Sequence, residues 1–359
     1  MDRKVLIFAA ATLTPALLLG LAATLGGLWG LLALLYLTGF ALAMDALVRF
    51  VVGPADTAEF PDADILSITL ALLHFVLLAL ALWALSGGAG LGWIESIPVL
   101  LGFGLFFGQI SNSNAHELIH RADGRLFALG MWVYISLLFG HHTSAHRQVH
   151  HRFVATDADP STAQLDESFY DFAPRAWWDG FRAGYEMEQA RSSRLAAGKR
   201  RVNPYVVYVG GAAGCLLAVL LLFGLGGLLV YLLLAAHAQT QLLLSDYVQH
   251  YGLTRRRLPD GRTEPVGVQH SWNAPHWFSA LMLLNAPRHS AHHAQPGLPY
   301  AALTLPGGLA APSLPYSLPV MAVLALLPRH WRRVMNPRAL AWRNAPMAAT
   351  SAVTWAVQP

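Results

Sequence analysis

The chain has 359 residues, of which 55% are hydrophobic and 12% charged, with a formal net charge of +4. A soluble domain carries about 25% charged residues, so this balance, with a mean hydropathy of +0.43, excludes an ordinary soluble protein and predicts an all-α integral membrane protein. The small positive charge lies in loops, where it suits a membrane surface and not nucleic acid, and the single cysteine, Cys215, excludes a disulfide framework, a cysteine-ligated iron–sulfur cluster and a built-in rubredoxin centre.

A membrane-crossing helix needs about 20 apolar residues. The predicted spans are, in order, about 5–25, 29–44, 65–85, 97–114, 205–223 and 228–246. The start MDRKVLIFAAATLTPALLLG resembles a signal peptide, but its apolar run continues to about Leu25 with no convincing cleavage site and reads as a retained first span. The last two spans are halves of one apolar run broken at Gly224–Gly227, and read as a helical hairpin.

Arg3 and Lys4, Arg49, Arg121 and Arg125, Arg191 and Arg194, Lys199 to Arg201, Arg255 to Arg257, and Arg329, Arg332, Arg333 and Arg338 all fall on alternate connections. The opposite turns, near Gly26, Gly87–Gly92 and Gly224–Gly227, are almost uncharged. This asymmetry predicts a multi-pass protein of a bacterial-type inner membrane, with both termini cytoplasmic. Segment 126–139 is apolar but short. If it crossed as a seventh span, histidine segments on either side of it would be separated by the bilayer and the charge rule would break. It is therefore expected to be an in-plane helix against the cytoplasmic face, as is 320–327. The expected architecture is one membrane-embedded domain over 1–359, with six transmembrane helices and a cytoplasmic histidine-rich cap.

Nine of the 16 histidines fall in four short segments: His116 and His120 in HELIH; His146, His150 and His151 in HRQVHH; His250 in DYVQHYG; and His289, His292 and His293 in RHSAHH. Imidazole is the commonest transition-metal ligand. Nine are too many for one ion and suit two. His116 and His120, at i and i+4, share a helix face. On an α-helix His146 and His150 would share a face, with His151 rotated by about 100°. His289, His292 and His293 repeat a similar spacing.

His142 and His276, near the clusters, are further candidates to orient ligands, whereas His74 and His237 read as structural and His330 as solvated. Asp157, Asp159 and Asp246 are among the nearest acidic residues and read first as caps or turn residues. Glu117, His141, Asp159, Asp246, Gln249 and His270 are the candidates to support the ligands by hydrogen bonding. HELIH also matches the HExxH motif of zinc proteases, with Glu117 as general base. That reading leaves most of the other clustered histidines unexplained. A metal transporter would place its ligands near the bilayer midplane, whereas these clusters fall at or beyond the span ends.

In order, HELIHR, HRQVHHRFVATDADPSTA, DYVQHYGL, HSWN at His270–Asn273 and PRHSAHHAQP closely resemble the boxes of the membrane-bound alkane hydroxylases (alkane 1-monooxygenases, AlkB-type), within the histidine-box membrane hydroxylases and desaturases. The likeness runs from about Ile97 to Met335. It implies two non-haem irons, O2 as co-substrate, and hydroxylation of an unactivated C–H bond. The terminal methyl of a medium-chain alkane is the expected target, with an alkyl-aromatic methyl as the alternative. It also implies electrons from NAD(P)H, delivered by a separate rubredoxin or ferredoxin and its reductase. The basic stretches Arg255–Arg257 and Arg329–Arg333 are the candidate docking surface. Two positions depart from the family's pattern, which usually has glutamate before the histidines matching His146 and His250; here they are Ala145 and Gln249.

Overall fold

The structure is a computed structural model that describes residues 3–48, 61–195, 202–305 and 311–344. Among these the chain is helical, with two isolated bridges, Arg257–Thr263 and Asn273–Ser313, in place of any sheet. Arg49, Lys199, Arg200 and Arg201 of the charge argument lie outside the described residues.

Helices α1 (Val5–Leu25), α2 (Trp29–Leu47), α3 (Ala63–Gly88) and α4 (Trp93–Ile119) are each long and apolar enough to cross a membrane. So is α7 (Tyr205–His250), which carries a non-helical residue at Gly224, φ 67° and ψ −166°. A side chain there would be strained, and glycine accepts the conformation at no steric cost. The chain folds back at this point. Cys215 and Tyr231, 16 residues apart, are hydrogen-bonded, whereas a straight helix would separate them by about 24 Å. Tyr208 near the start of α7 and His250 at its end both reach the histidine-bearing region. The sequence's hairpin is thus a reversal inside one continuous helical run.

The helices alternate in direction. At one end of the bundle, Gly27 N–H donates to Glu95 Oε1 at 2.9 Å, tying the α1–α2 turn to the start of α4. At the other end, Arg121 meets Asp64 at 2.8 Å, and Asp45 at the end of α2 accepts from Phe278 and Ser279 N–H at 2.8 and 3.0 Å. All the histidine segments lie at this second end. Exposed leucines such as Leu221, Leu222 and Leu225, 74–78% accessible, clothe the outside with the apolar surface that lipid demands and water does not favour.

α5 (Gly124–Ser136) covers most of the segment expected to lie in the membrane plane. It runs back alongside the end of α4, where Gly130 allows contact with Leu118 and the Ala115 carbonyl. Tyr134 Oη donates to Asn112 O at 3.2 Å, and Ser136 Oγ meets His74 Nε2, mid-way along α3, at 2.8 Å. Its polar partners lie inside the bundle, so it dips between helices and the chain then returns to the histidine end. α6 (Phe169–Ser193), α8 (Trp277–Met282), α9 (His289–Ala294), α10 (Leu318–Ala325) and α11 (Pro328–Arg343) complete that end. α11 docks through Trp331, Met335 and Ala339, all fully buried, with the Trp331 ring 5.2 and 5.1 Å from those of Tyr247 and Tyr251.

Candidate metal centre

α4 continues as helix through Ile119, so HELIH belongs to the fourth membrane-length helix and does not follow it. Polar residues inside this stretch are paired with other helices: Asn112 Nδ2 donates to Ala238 O at 2.9 Å, and Asn114 Nδ2 to Ser67 O at 2.8 Å. These bonds fix the rotation of α4 and thus the direction of His116 and His120.

Residues Ala145–His150 form a π-helical turn. In a regular α-helix residues i and i+5 diverge by about 140°; the wider i→i+5 turn stacks them. His146 and His151 therefore come together, with Nε2 atoms 2.9 Å apart, and His150 turns to the other side. The rings of His146 and His150 still lie 5.1 Å apart, as i and i+4 residues of a helix do, but the two belong to different groups of ligand atoms. α9 contributes the last three rings. It is locked by Asn273 of HSWN, whose Nδ2 donates to Ser290 Oγ at 2.7 Å while its Oδ1 accepts from Ser290 N–H at 3.0 Å.

The nine histidines resolve into two groups. Group one is His116, His120, His146, His151 and His292; group two is His150, His250, His289 and His293, and within each the ligand atoms lie within 4.8 Å of one another. Nε2–Nε2 separations include 2.8 Å for His116–His146, 3.1 Å for His151–His292, 2.9 Å for His250–His289 and 3.1 Å for His289–His293. A nitrogen shell at about 2.1 Å from a metal places adjacent donors about 3 Å apart. Hydrogen bonding alone explains the convergence poorly. A neutral ring has one N–H, and His146 Nε2 faces two other Nε2 atoms, while His120 Nε2 is buried with no partner. The donor set fits a pair of transition-metal ions.

Burial and the neighbouring rings hold His120, His146, His151, His289, His292 and His293 well below the usual imidazole range, leaving them neutral, the form that ligates metal. His150 differs. Burial pushes it down too, but the carboxylate of Asp159, 2.9 Å from its Nδ1, raises it overall.

The candidate supporting residues divide. Asp159 fixes His150. His270 acts through its backbone, its carbonyl 3.3 Å from His250 Nδ1, while its ring faces Glu264 at 3.0 Å. Asp246 and Gln249 line a cavity beside the rings. Gln249 is held by Ser245 Oγ, which donates to its Oε1 at 2.8 Å, and by donation from its Nε2 to Ala286 O at 3.1 Å. His141 packs instead among Phe139, Trp177 and Phe181, and it is His142 that stands beside His146 on the cavity wall. Glu117 is not a general base at the centre. It ion-pairs with Arg121 at 2.8 Å and accepts from Tyr300 N–H at 3.1 Å. Asp45 was not foreseen as a support of this region, because its partners lie more than 230 residues away.

The cavity, about 90 Å³, has His116, His146 and His289 on its wall. Gln109, Gln241, Pro319 and Ala322 border both it and a larger cleft of about 1120 Å³ walled chiefly by leucines of α2, α4 and α7 and by α10. The cleft rim includes Leu42, Leu233 and Val323, which are exposed on the lipid-type surface.

A family described as fatty acid desaturase matches residues 91–325. The chain is 32% identical to the alkane 1-monooxygenase of Pseudomonas putida over 286 residues, covering 77% of this chain and 68% of that protein. It is 31% identical to alkane 1-monooxygenase 2 of Pseudomonas aeruginosa over 323 residues, 88% and 85% of the two chains. It is also 32% identical to alkane 1-monooxygenase 1 of Alcanivorax borkumensis over 273 residues, 76% and 67%. Together with the histidine clusters on apolar helices, these similarities establish that the chain belongs to the membrane-bound alkane 1-monooxygenase family and is an oxidoreductase of that type.

Proposed function

We propose that this chain hydroxylates the terminal methyl of a medium-chain alkane at a di-iron centre held by nine histidines, five on one iron and four on the other. The observation that supports it most is the pair of all-imidazole groups beside a small cavity that borders a wide apolar cleft. When bound, the irons supply O2 activation. The balance is one C–H bond, one O2, two electrons and two protons in, and one C–OH and one water out.

The chain's residues do the rest. Leu242, Leu283, Leu318 and Pro319 give the cavity a dry apolar wall that admits a methyl group and holds off water. Asp159 and the His270 carbonyl accept from Nδ1 of His150 and His250, turning each Nε2 lone pair inward. Asp246, the only carboxyl among the cavity's lining residues, is the group placed to pass a proton. Electrons come from NAD(P)H through a separate rubredoxin or ferredoxin and its reductase. Arg255, Arg256 and Arg257 donate to backbone carbonyls within this end of the molecule, so the exposed Arg329 and Arg333 are the better docking charges. In a membrane the reading is six spans, the hairpin supplying the last two. The metal end and both termini would be cytoplasmic, in a bacterial-type inner membrane.

The test is a product assay. Iron-loaded protein with NAD(P)H, rubredoxin and reductase is offered alkanes of graded length and alkyl-aromatics. A primary alcohol from an alkane is expected. A benzylic alcohol alone would reassign the substrate to alkyl-aromatics, and no alcohol from any of them would refute the proposal. Metal analysis should give two irons per chain. The zinc-protease reading predicts one zinc, and the position of Glu117 argues against it.

A further inference from the structure

Glu188 lies on α6, 42 residues beyond His146, and is 8% exposed. Its Oε1 accepts from Ser144 Oγ at 2.7 Å and from Gln148 Nε2. These donors sit two residues before and two residues after His146, on the segment whose π-turn separates the two histidine groups. Ser144 Oγ also lies 2.8 Å from Tyr208 Oη at the start of α7. With Ser144 donating to the carboxylate, Tyr208 is the donor to Ser144. One turn earlier on the same face of α6, Gly184 lets the backbone come close: a Cβ there would lie 3.1 Å from Ala145 N and 3.2 Å from its Cα.

We infer that Glu188 is a positioning residue for the metal centre. It clamps the π-turn from behind and so fixes where His146 and His151, on one side, and His150, on the other, present their nitrogens. The inference rests on the reading of these histidines as iron ligands. A π-turn is an uncommon winding and relaxation to α-helical winding would pull His146 and His151 apart. A single oxygen that accepts from residue 144, just before the turn, and from residue 148, within it, ties the half that carries His146 to α6. The requirement is for an acceptor at Oε1. The other oxygen lies 3.8 Å from Arg191, whose side chain is 70% exposed, and the carboxylate also interacts with the charge of Arg147 on the turn.

The experiment uses full-length, membrane-embedded protein. Wild type is first shown to hold two irons and to form product; if it does not, the functional reading fails before Glu188 is at issue. In Glu188→Ala, kcat should fall about tenfold or more, the range for residues that orient metal ligands, with KM unchanged. The Mössbauer spectrum should show altered or heterogeneous iron sites. Glu188→Gln, which keeps the carbonyl oxygen, should restore both the spectrum and most of kcat. If Glu188→Ala does not fold, Ser144→Ala combined with Gln148→Met removes the two donors and leaves α6 in place. It should give the same spectral change. A wild-type spectrum in either donor- or acceptor-deleted protein would overturn the inference, as would a Glu188→Gln protein that behaves like Glu188→Ala.

Discussion

Group one takes four of its five imidazoles as pairs carried on single helical segments, His116 with His120 on α4 and His146 with His151 on the π-turn. Three of its members are only half-buried. Group two has one such pair, His289 with His293, joined by His150 and His250 from separate segments, and all four are buried. The means of orientation differ accordingly. In group one, helix geometry sets the relation between rings, and long-range bonds from Asn112 and Asn114 set the helix. In group two, the isolated rings depend on individual acceptors behind them, Asp159 for His150 and the His270 carbonyl for His250. A centre can thus be built half from secondary structure and half from hydrogen bonds, and the two halves should fail differently.

The largest effect should come from deleting a ligand. His250→Ala leaves three imidazoles in group two, whereas His120→Ala leaves four in group one. Both should abolish most turnover, but His250→Ala should also drop iron from two per chain towards one, while His120→Ala retains more. Iron analysis beside initial rates reads this directly. Equal iron loss in the two variants would break the distinction. Next is Asp159→Ala. Removing the acceptor behind His150 should cost about 10- to 100-fold in activity or iron affinity, with the change confined to one of the two iron environments in the Mössbauer spectrum. Asp159→Asn, which keeps an oxygen, should be milder. A uniform change at both irons would argue that His150 is not held independently.

Much of this was legible in the sequence, and what was not had physical reasons. Histidine spacing and the low charge were enough to expect a metal site on membrane helices, because both are local properties. The end of α4 is not legible because hydropathy treats Asn112 and Asn114 as polar, while their Nδ2 groups donate to carbonyls on α7 and α3. The pairing of His146 with His151 was not legible, because 3.6 residues per turn sets i and i+5 apart and the π-turn brings them together. Asp159 read as a turn residue, and it is one, accepting from Ser161 N–H at 3.1 Å; its other oxygen serves His150. HELIH invites a base at Glu117, although Arg121, one helical turn on, already offers it an ion-pair partner. Its second partner, Tyr300 N–H, is 183 residues away and could not be read locally.

Glu117 gives a smaller, sharper test, because it sits between the two α4 ligands and shares their helix without facing the metals. Glu117→Gln keeps an oxygen for Tyr300 N–H but weakens the ion pair with Arg121. Stability should fall by about 1–2 kcal/mol, read as a lower midpoint in thermal unfolding in detergent. Iron content and turnover should stay near wild type, whereas a general base at this position would make the variant inactive.

The smallest expected effect is at Asp45. It caps α8 through Phe278 and Ser279 N–H, and α8 leads into α9, which supplies His292 to group one and His289 and His293 to group two. Asp45→Ala should therefore cost about 1 kcal/mol of stability, the usual loss for a helix cap, and Asp45→Asn less. Because α9 serves both groups, any loosening should reach them together, broadening both iron signals slightly without separating them. If Asp45→Ala instead perturbs one group alone, α9 does not move as a unit, and the contrast between a helix-held and a hydrogen-bond-held half would have to be drawn within α9 itself, between His292 and its neighbours His289 and His293.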